Sequence, residues 1–178
     1  MKKPLLLFRV MEALPLPVFL LYAAVIDQSI PQNWLGPFVA SSSIAILTTT
    51  ILLFNKVLLN RLVIGITLYL IIGSLALLTN HTWLNQMYEK LEASGMLASI
   101  IIVGVVSLLV SPAGFIGVVS PDRKKVFKFS LYLLLVALIA FSLSFYLQGN
   151  KLYSEVIPFI GLFVIQGLLR SRMTKAFF

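Results

Sequence analysis

The sequence contains no cysteine and only one histidine, His81. Without cysteine, the chain has no disulfide, no thiolate metal site and no thiol nucleophile. A single histidine excludes a bis-histidine haem or a multi-histidine metal site built within one chain. We therefore expect no metal and no other cofactor.

Charged residues are also scarce. They make up 11% of the 178 residues, whereas a soluble domain carries about 25%. Hydrophobic residues account for 60%, and the mean hydropathy is +1.01. This composition excludes a soluble globular protein, and it also excludes intrinsic disorder, which needs low hydrophobicity and high charge. An integral membrane protein remains.

Six long apolar stretches occupy most of the chain. We place membrane spans at residues 5–26, 34–54, 62–79, 94–119, 129–147 and 152–169. A hydrocarbon core of about 30 Å needs about 20 residues of helix, and helices satisfy their own backbone groups in lipid. The sequence therefore predicts an all-α polytopic membrane protein, in which residues 1–178 form one integral membrane domain, a compact bundle of six transmembrane helices.

The basic residues predict the orientation of these spans. Twelve of the 14 lysines and arginines, Lys2 among them, fall on one side of the predicted spans, and only Lys90 and Lys151 fall on the other. The positive-inside rule places the twelve in the cytoplasm, together with both termini. Because the basic residues lie between apolar stretches, the net charge of +8 favours anionic lipid as partner and not nucleic acid.

Two features of the first span bear on function. Arg9 and Glu12 are three residues apart, so they share a helix face. Charges within a span are costly, and this pair is either an interfacial ion pair that sets the depth of the helix or a binding site for a partner or substrate. Pro15 and Pro17 each remove a backbone donor, which predicts a kink just past Glu12.

Hydroxyl and small side chains mark two other spans. The second span contains three consecutive serines, 41–43, and three consecutive threonines, 48–50. These side chains either join helices or form a polar path for a substrate, with Ser42 and Thr49 on it. Ala113 and Gly117, four apart near the end of the fourth span, predict close packing against another helix.

The connections carry the remaining signals. Residues 80–93 predict a short interfacial helix with Trp83 and Tyr88 at headgroup depth. The loop before the fifth span is the most basic. Its cations orient the chain and contact anionic headgroups, each contributing about 1 kcal/mol; docking of a cytoplasmic partner is the alternative. These residues are Arg123, Lys124, Lys125 and Lys128.

Two stretches of the sequence resemble a known family. Residues 14–19 read Leu-Pro-Leu-Pro-Val-Phe, which is similar to an early Leu-Pro-x-x-x-Phe stretch in the first helix of that family. Residues 129–173 contain an aromatic-rich helix ending in Phe-Tyr-Leu and a last helix ending in Arg-Ser-Arg-Met. On these features the chain resembles the intracellular septation protein A family of bacterial inner-membrane proteins.

The resemblance implies a protein of the bacterial inner membrane that is not an enzyme, linked to septation, cell division and maintenance of the envelope. It implies action through other inner-membrane proteins, and small-residue helix faces are compatible with a homo-oligomer. The residues themselves leave an alternative open: a small six-helix transporter or a membrane-embedded substrate-binding subunit of one. A polar pocket containing Glu12, Ser42 and Thr49 would favour transport.

Overall fold

The structure is a computed structural model that describes residues 3–28, 30–150 and 152–175, with side chains described between Leu7 and Met173. Lys2 and Lys151, which enter the predicted charge distribution, lie outside the described residues. The described parts of the chain form seven α-helices and no strand. The helices are α1 (Lys3–Ala13), α2 (Pro15–Val25), α3 (Leu35–Phe54), α4 (Arg61–Leu78), α5 (Thr82–Val110), α6 (Arg123–Tyr146) and α7 (Ile157–Lys175).

Two short helical turns extend the main helices. A 3-10 turn, Pro31–Trp34, precedes α3, and a π-helical turn, Leu152–Val156, precedes α7. With these turns included, five helical segments in the described residues are long and apolar enough to cross a membrane. The bent pair α1 and α2 makes a sixth if it is counted as one span. The prediction of an all-helical, multi-pass membrane protein is confirmed at this level.

The first predicted span contains the predicted kink. Its two halves, α1 and α2, are bent by 41° at Leu14. Pro15 and Pro17 have no amide hydrogen to donate to the carbonyls of the preceding turn. The Leu14 amide instead donates to the carbonyl of Met11 at 3.3 Å, in a tighter turn. The bend thus lies just past Glu12, where the kink is predicted.

Packing divides the chain into two compact units, Met1–Lys90 and Leu91–Phe178. In the first unit, α3 packs against both α2 and α4, and α1 also contacts α3. In the second unit, α6 packs against α7 and the π-helical turn. The boundary falls beside Glu92, where α5 is broken by a non-helical residue with φ 45° and ψ −131°. The single domain over residues 1–178 stays a prediction.

The predicted end of the fourth span, residue 119, is wrong. The prediction extends this helix to residue 119, but α5 ends at Val110 and residues 111–120 form turns and irregular backbone. Pro112 follows the helix end, and Gly114 and Gly117 adopt left-handed φ values of 57° and 71°. Ala113 and Gly117 therefore lie on a turn and not on a helix face, although α7 still approaches closely there, because an added Cβ at Gly117 would collide with Arg170.

Candidate functional site

Aromatic side chains from four helices and a turn meet in the first unit. The Phe38 ring lies 5.0 Å from Phe19, 5.9 Å from Tyr69 and 5.7 Å from Tyr88, measured between ring centroids. Phe19 also contacts Trp34 at 6.2 Å. Edge-to-face and tilted pairs at these distances stabilise beyond their area burial, by about 0.5–1.5 kcal/mol each. The cluster joins α2, α3, α4 and the start of α5.

Tyr88 completes this aromatic cluster. Its hydroxyl donates a hydrogen bond of 2.8 Å to the backbone carbonyl of Tyr69. The rings of Phe38 and Tyr88 lie against Gly73, where any Cβ would collide with both. The predicted helix around Trp83 and Tyr88 is present, but the two aromatics differ: Trp83 is 63% exposed, whereas Tyr88 packs into the cluster. The sequence prediction did not foresee this packing role for Tyr88.

The hydroxyls of α3 are used in bonds to helices. Ser42 is buried, and its Oγ lies 2.9 Å from Oγ of Ser74 on α4, which donates to it. Ser42 itself donates to the carbonyl of Val39 at 3.1 Å. Thr48, also buried, donates to the carbonyl of Ile44 at 2.8 Å. Of these bonds only the one between Ser42 and Ser74 joins two helices, because the bonds to Val39 and Ile44 lie within α3.

Glu12 lies far from Ser42 along the first unit. Its carboxylate accepts a hydrogen bond from the backbone N–H of Asn60, in the turn that follows α3. Ser42 lies 12 residues before the end of α3 at Phe54, which is about 18 Å of helix rise. The structure therefore does not bring Glu12 and Ser42 together. Thr49, which is half-buried, lies on α3 between Ser42 and the end of the helix.

The bond to Asn60 ties α1 to the start of α4. Asn60 is the N-cap residue of α4, and its side-chain oxygen accepts from the amide of Leu62 at 3.1 Å. A carboxylate at a helix N-terminus also interacts favourably with the helix dipole. Arg9, by contrast, is exposed. The two charges of the predicted pair thus occupy different surroundings, and Glu12 has a defined contact.

The second unit contains an irregular segment, residues 111–120, whose middle part is buried. Phe115 and Ile116 are both fully buried there. The amide of Ile116 donates to Ser130 Oγ on α6 at 3.1 Å, and its carbonyl accepts from Nε of Arg170 on α7 at 2.8 Å. Non-helical backbone within a membrane protein must find such internal partners. Arg170, which sequence reasoning counted only as one of the basic tail residues, satisfies this segment.

Two cavities flank the start of α6. One, of about 360 Å³, lies against the end of α5 and is lined by Arg123 and Lys124 among apolar side chains. The other, of about 410 Å³, lies between the start of α6 and the end of α7. We call this second cavity the cationic groove. Its lining includes three cations and three apolar side chains, namely Lys125, Lys128, Arg172, Phe129, Tyr132 and Leu169.

The cationic groove is the strongest candidate for a binding site. The Lys128 ammonium lies 5.9 Å from the centroid of the Tyr132 ring, a cation–π distance. Lys125 forms an ion pair with Asp122, with 3.6 Å between Nζ and Oδ2. The four predicted basic residues are thus divided between two cavities, two in each. Arg172 is the addition that the sequence prediction missed, although its place in the basic end of the last helix was recognised.

Comparisons with known proteins identify no relative of this chain. No protein-family model matches the chain, and neither the curated proteins nor the solved structures contain a match.

Proposed function

We propose that this chain is a six-pass protein of the bacterial inner membrane with both termini in the cytoplasm, and that it acts without catalysis by binding other membrane proteins of the septation and envelope machinery. The resemblance of residues 14–19 and 129–173 to the septation family supports the machinery named. The distribution of twelve basic residues on one side and two on the other supports the orientation.

The observation that carries the non-transport assignment is the Ser42–Ser74 bond. A transporter of this size needs polar side chains that face a cavity near the middle of the membrane. Here a buried hydroxyl of α3 accepts from a buried hydroxyl of α4 at 2.9 Å, and Glu12 bonds to the turn after α3. Ser42 and Glu12, two of the polar residues that a substrate path would use, thus contact other parts of the first unit.

The outer faces of the helices offer surface for partners. Leu47 on α3, Leu109 on α5 and Leu168 on α7 are 61%, 76% and 59% exposed. In a membrane such faces contact either lipid or a neighbouring helix, and van der Waals packing between helices can favour the neighbour. A protein that acts through membrane partners would use these faces.

Orientation can be tested directly because the chain has no cysteine. Single cysteines at Lys56, His81, Lys124 and Gln148 would be labelled in intact cells and in inverted membrane vesicles. We expect Lys56→Cys and Lys124→Cys to react with an impermeant maleimide only in inverted vesicles, and His81→Cys and Gln148→Cys only in intact cells. Labelling of Lys56→Cys and Lys124→Cys from opposite sides would refute the six-pass arrangement.

The partner class can be tested by photocrosslinking in growing cells. A crosslinking amino acid at Leu47, Leu109 or Leu168 should capture defined septation or wall-synthesis proteins. The matched controls are Leu70 and Leu97, which are fully buried and should capture none. Failure at all three outer positions, together with stabilisation of the purified protein by a small polar solute, would favour the transporter alternative.

A further inference from the structure

We propose that the cationic groove binds one anionic glycerophospholipid as an individual ligand, with the phosphate at the cations and an acyl chain along α6 and α7. This goes beyond general attraction of a basic loop to a charged surface, because it assigns a defined site between two helices. It rests on the proposed function only for the position of the groove at the cytoplasmic face.

The charges of the groove suit a phosphate. Arg172 offers a planar fork of donors that can bind phosphate oxygens in pairs, and Lys128 offers a compact charge. The carboxylate of Asp122 lies 3.6 Å from Lys125, so it reduces the contribution of that lysine. Lys128 and Arg172 are therefore the two residues expected to contribute most of the phosphate affinity.

The apolar half of the groove decides between a lipid and a soluble anion. Phe129, Tyr132 and Leu169 line the same cavity as the cations. Phe129 and Tyr132 follow the basic residues along α6 into its apolar part, and Leu169 lies on the corresponding part of α7. A cationic end that passes into an apolar wall matches a phospholipid, whose phosphate and acyl chain are joined through glycerol.

The size and the setting of the groove support the same occupant. Its volume of about 410 Å³ lies within the range of about 300–1,000 Å³ found for small-molecule sites. The cytoplasmic leaflet supplies anionic lipid beside every copy of the chain, and basic pockets between transmembrane helices on this side bind such headgroups. An acidic protein segment would satisfy the cations but would leave the apolar wall facing lipid tails.

The test compares two double variants with the same change in charge. Lys128→Gln with Arg172→Gln removes cations from the groove, whereas Arg123→Gln with Lys124→Gln removes two from the other cavity. Binding of phosphatidylglycerol and phosphatidylcholine to the purified protein in detergent would be measured by native mass spectrometry. We expect the groove variant to bind phosphatidylglycerol about 30-fold more weakly, from about 1 kcal/mol for each cation, and the control to change by less than about 3-fold.

Additional variants and a competitor test whether the loss of binding is due to loss of charge. Lys128→Arg with Arg172→Lys retains both charges and should restore most of the affinity, which separates loss of charge from misfolding. Glycerol phosphate should fail to displace the lipid. Equal losses in both double variants, equal affinity for phosphatidylcholine, or displacement by glycerol phosphate would each overturn the proposal. So would photocrosslinking from Arg172 to a protein in place of lipid. None of these lipid measurements in detergent depends on the septation partners.

Discussion

Arg170, near the end of α7, donates a hydrogen bond from Nε to the carbonyl oxygen of Ile116, 54 residues earlier in the chain, at 2.8 Å. Ile116 is fully buried in an irregular segment, and Ser130 accepts its amide hydrogen at 3.1 Å. Both backbone groups of this residue are therefore satisfied by side chains of two different helices. This arrangement satisfies the backbone of Ile116 where residues 111–120 are not helical.

Replacing Arg170 should destabilise the second unit more than replacing an exposed arginine of the same unit. A hydrogen bond with a charged donor contributes about 1.5–3 kcal/mol, and Arg170→Gln would leave the Ile116 carbonyl poorly satisfied. We expect a clear fall in the midpoint of thermal unfolding in detergent. Arg123→Gln is the control, with the same change at an exposed residue outside the cationic groove, and should change stability by less than about 0.5 kcal/mol. Equal falls would contradict the assigned role of Arg170.

Glycine at position 114 is predicted to be needed for two reasons. Gly114 has φ 57°, and an added Cβ would collide with Ser130 Oγ and lie 3.0 Å from Val126 Cγ1. Gly149 has φ 88° but has no atom within 4 Å of such a Cβ. Both alanine variants lose about 1–2 kcal/mol from the left-handed backbone, and Gly114→Ala loses a further 1–3 kcal/mol, roughly, from overpacking. Chemical denaturation should rank Gly114→Ala as the less stable; equal losses would contradict the contact.

A third glycine, Gly161, is a reference for these stability measurements. Gly161 lies within α7 and also has no atom within 4 Å of an added Cβ. Because its φ lies outside the left-handed range, alanine gains helix propensity there, worth up to about 1 kcal/mol. We expect Gly161→Ala to be neutral or stabilising.

Much of the fold could be predicted because its causes are local. Long apolar stretches separated by basic turns predict helices, and two prolines in one span predict its bend. The end of α5 also has local causes, because Pro112, Gly114 and Gly117 disfavour a helix, and the prediction overlooked them. What the local sequence does not indicate is the Arg170 side chain that satisfies the irregular backbone at Ile116, 54 residues away. A partner at that separation leaves no periodic signal.

The candidate site was predicted only in part for a similar reason. Lys125 and Lys128 share a face of α6 because they are three residues apart, and their sequence neighbourhood marks them as basic. Arg172 reaches the same groove only because α6 and α7 pack together. The sequence therefore indicates the charge but not the cavity, and the prediction treats four basic residues as one headgroup contact, whereas Arg123 and Lys124 line the other cavity.

The hydroxyl of Tyr88 gives a test of the aromatic cluster. Tyr88→Phe keeps the ring against Phe38 and removes the donor to the Tyr69 carbonyl, which is bonded at 2.8 Å. We expect a loss of about 0.5–1.5 kcal/mol in the free energy of unfolding. The control is Tyr146→Phe, because Tyr146 is 83% exposed and should show no change. A loss as large at Tyr146 would contradict the assigned bond.

Glu12 gives a test of the contact between α1 and the start of α4. Its carboxylate accepts from the Asn60 amide, so Glu12→Gln keeps an acceptor and Glu12→Ala removes it. We expect Glu12→Ala to lower stability by about 1–2 kcal/mol and Glu12→Gln by less than half of that. Arg9→Gln changes an exposed charge on the same helix and should have little effect. A larger effect at Arg9 would favour the partner-site interpretation of this pair.

Variants of Ser42 and Ser74 can distinguish a helix-packing role from a polar path for a transported substrate. If the two hydroxyls act as a helix-packing pair, Ser42→Ala and Ser74→Ala should be coupled by about 0.6 kcal/mol in a double-mutant cycle, the average for such bonds in membranes. Ser43→Ala with Ser74→Ala is the control, since Ser43 is exposed and donates to the carbonyl of Val39 at 2.8 Å. Its coupling should be near zero.

A polar path predicts a different outcome from the same variants. Two serines that bind a passing solute would lose ligand-dependent stabilisation when replaced, while their mutual coupling without ligand would be small, because each would face the path and not the other. Coupling without any ligand response therefore favours the packing interpretation, and a ligand response without coupling favours transport. The 2.9 Å separation of the two oxygens is the geometric reason to expect the first result.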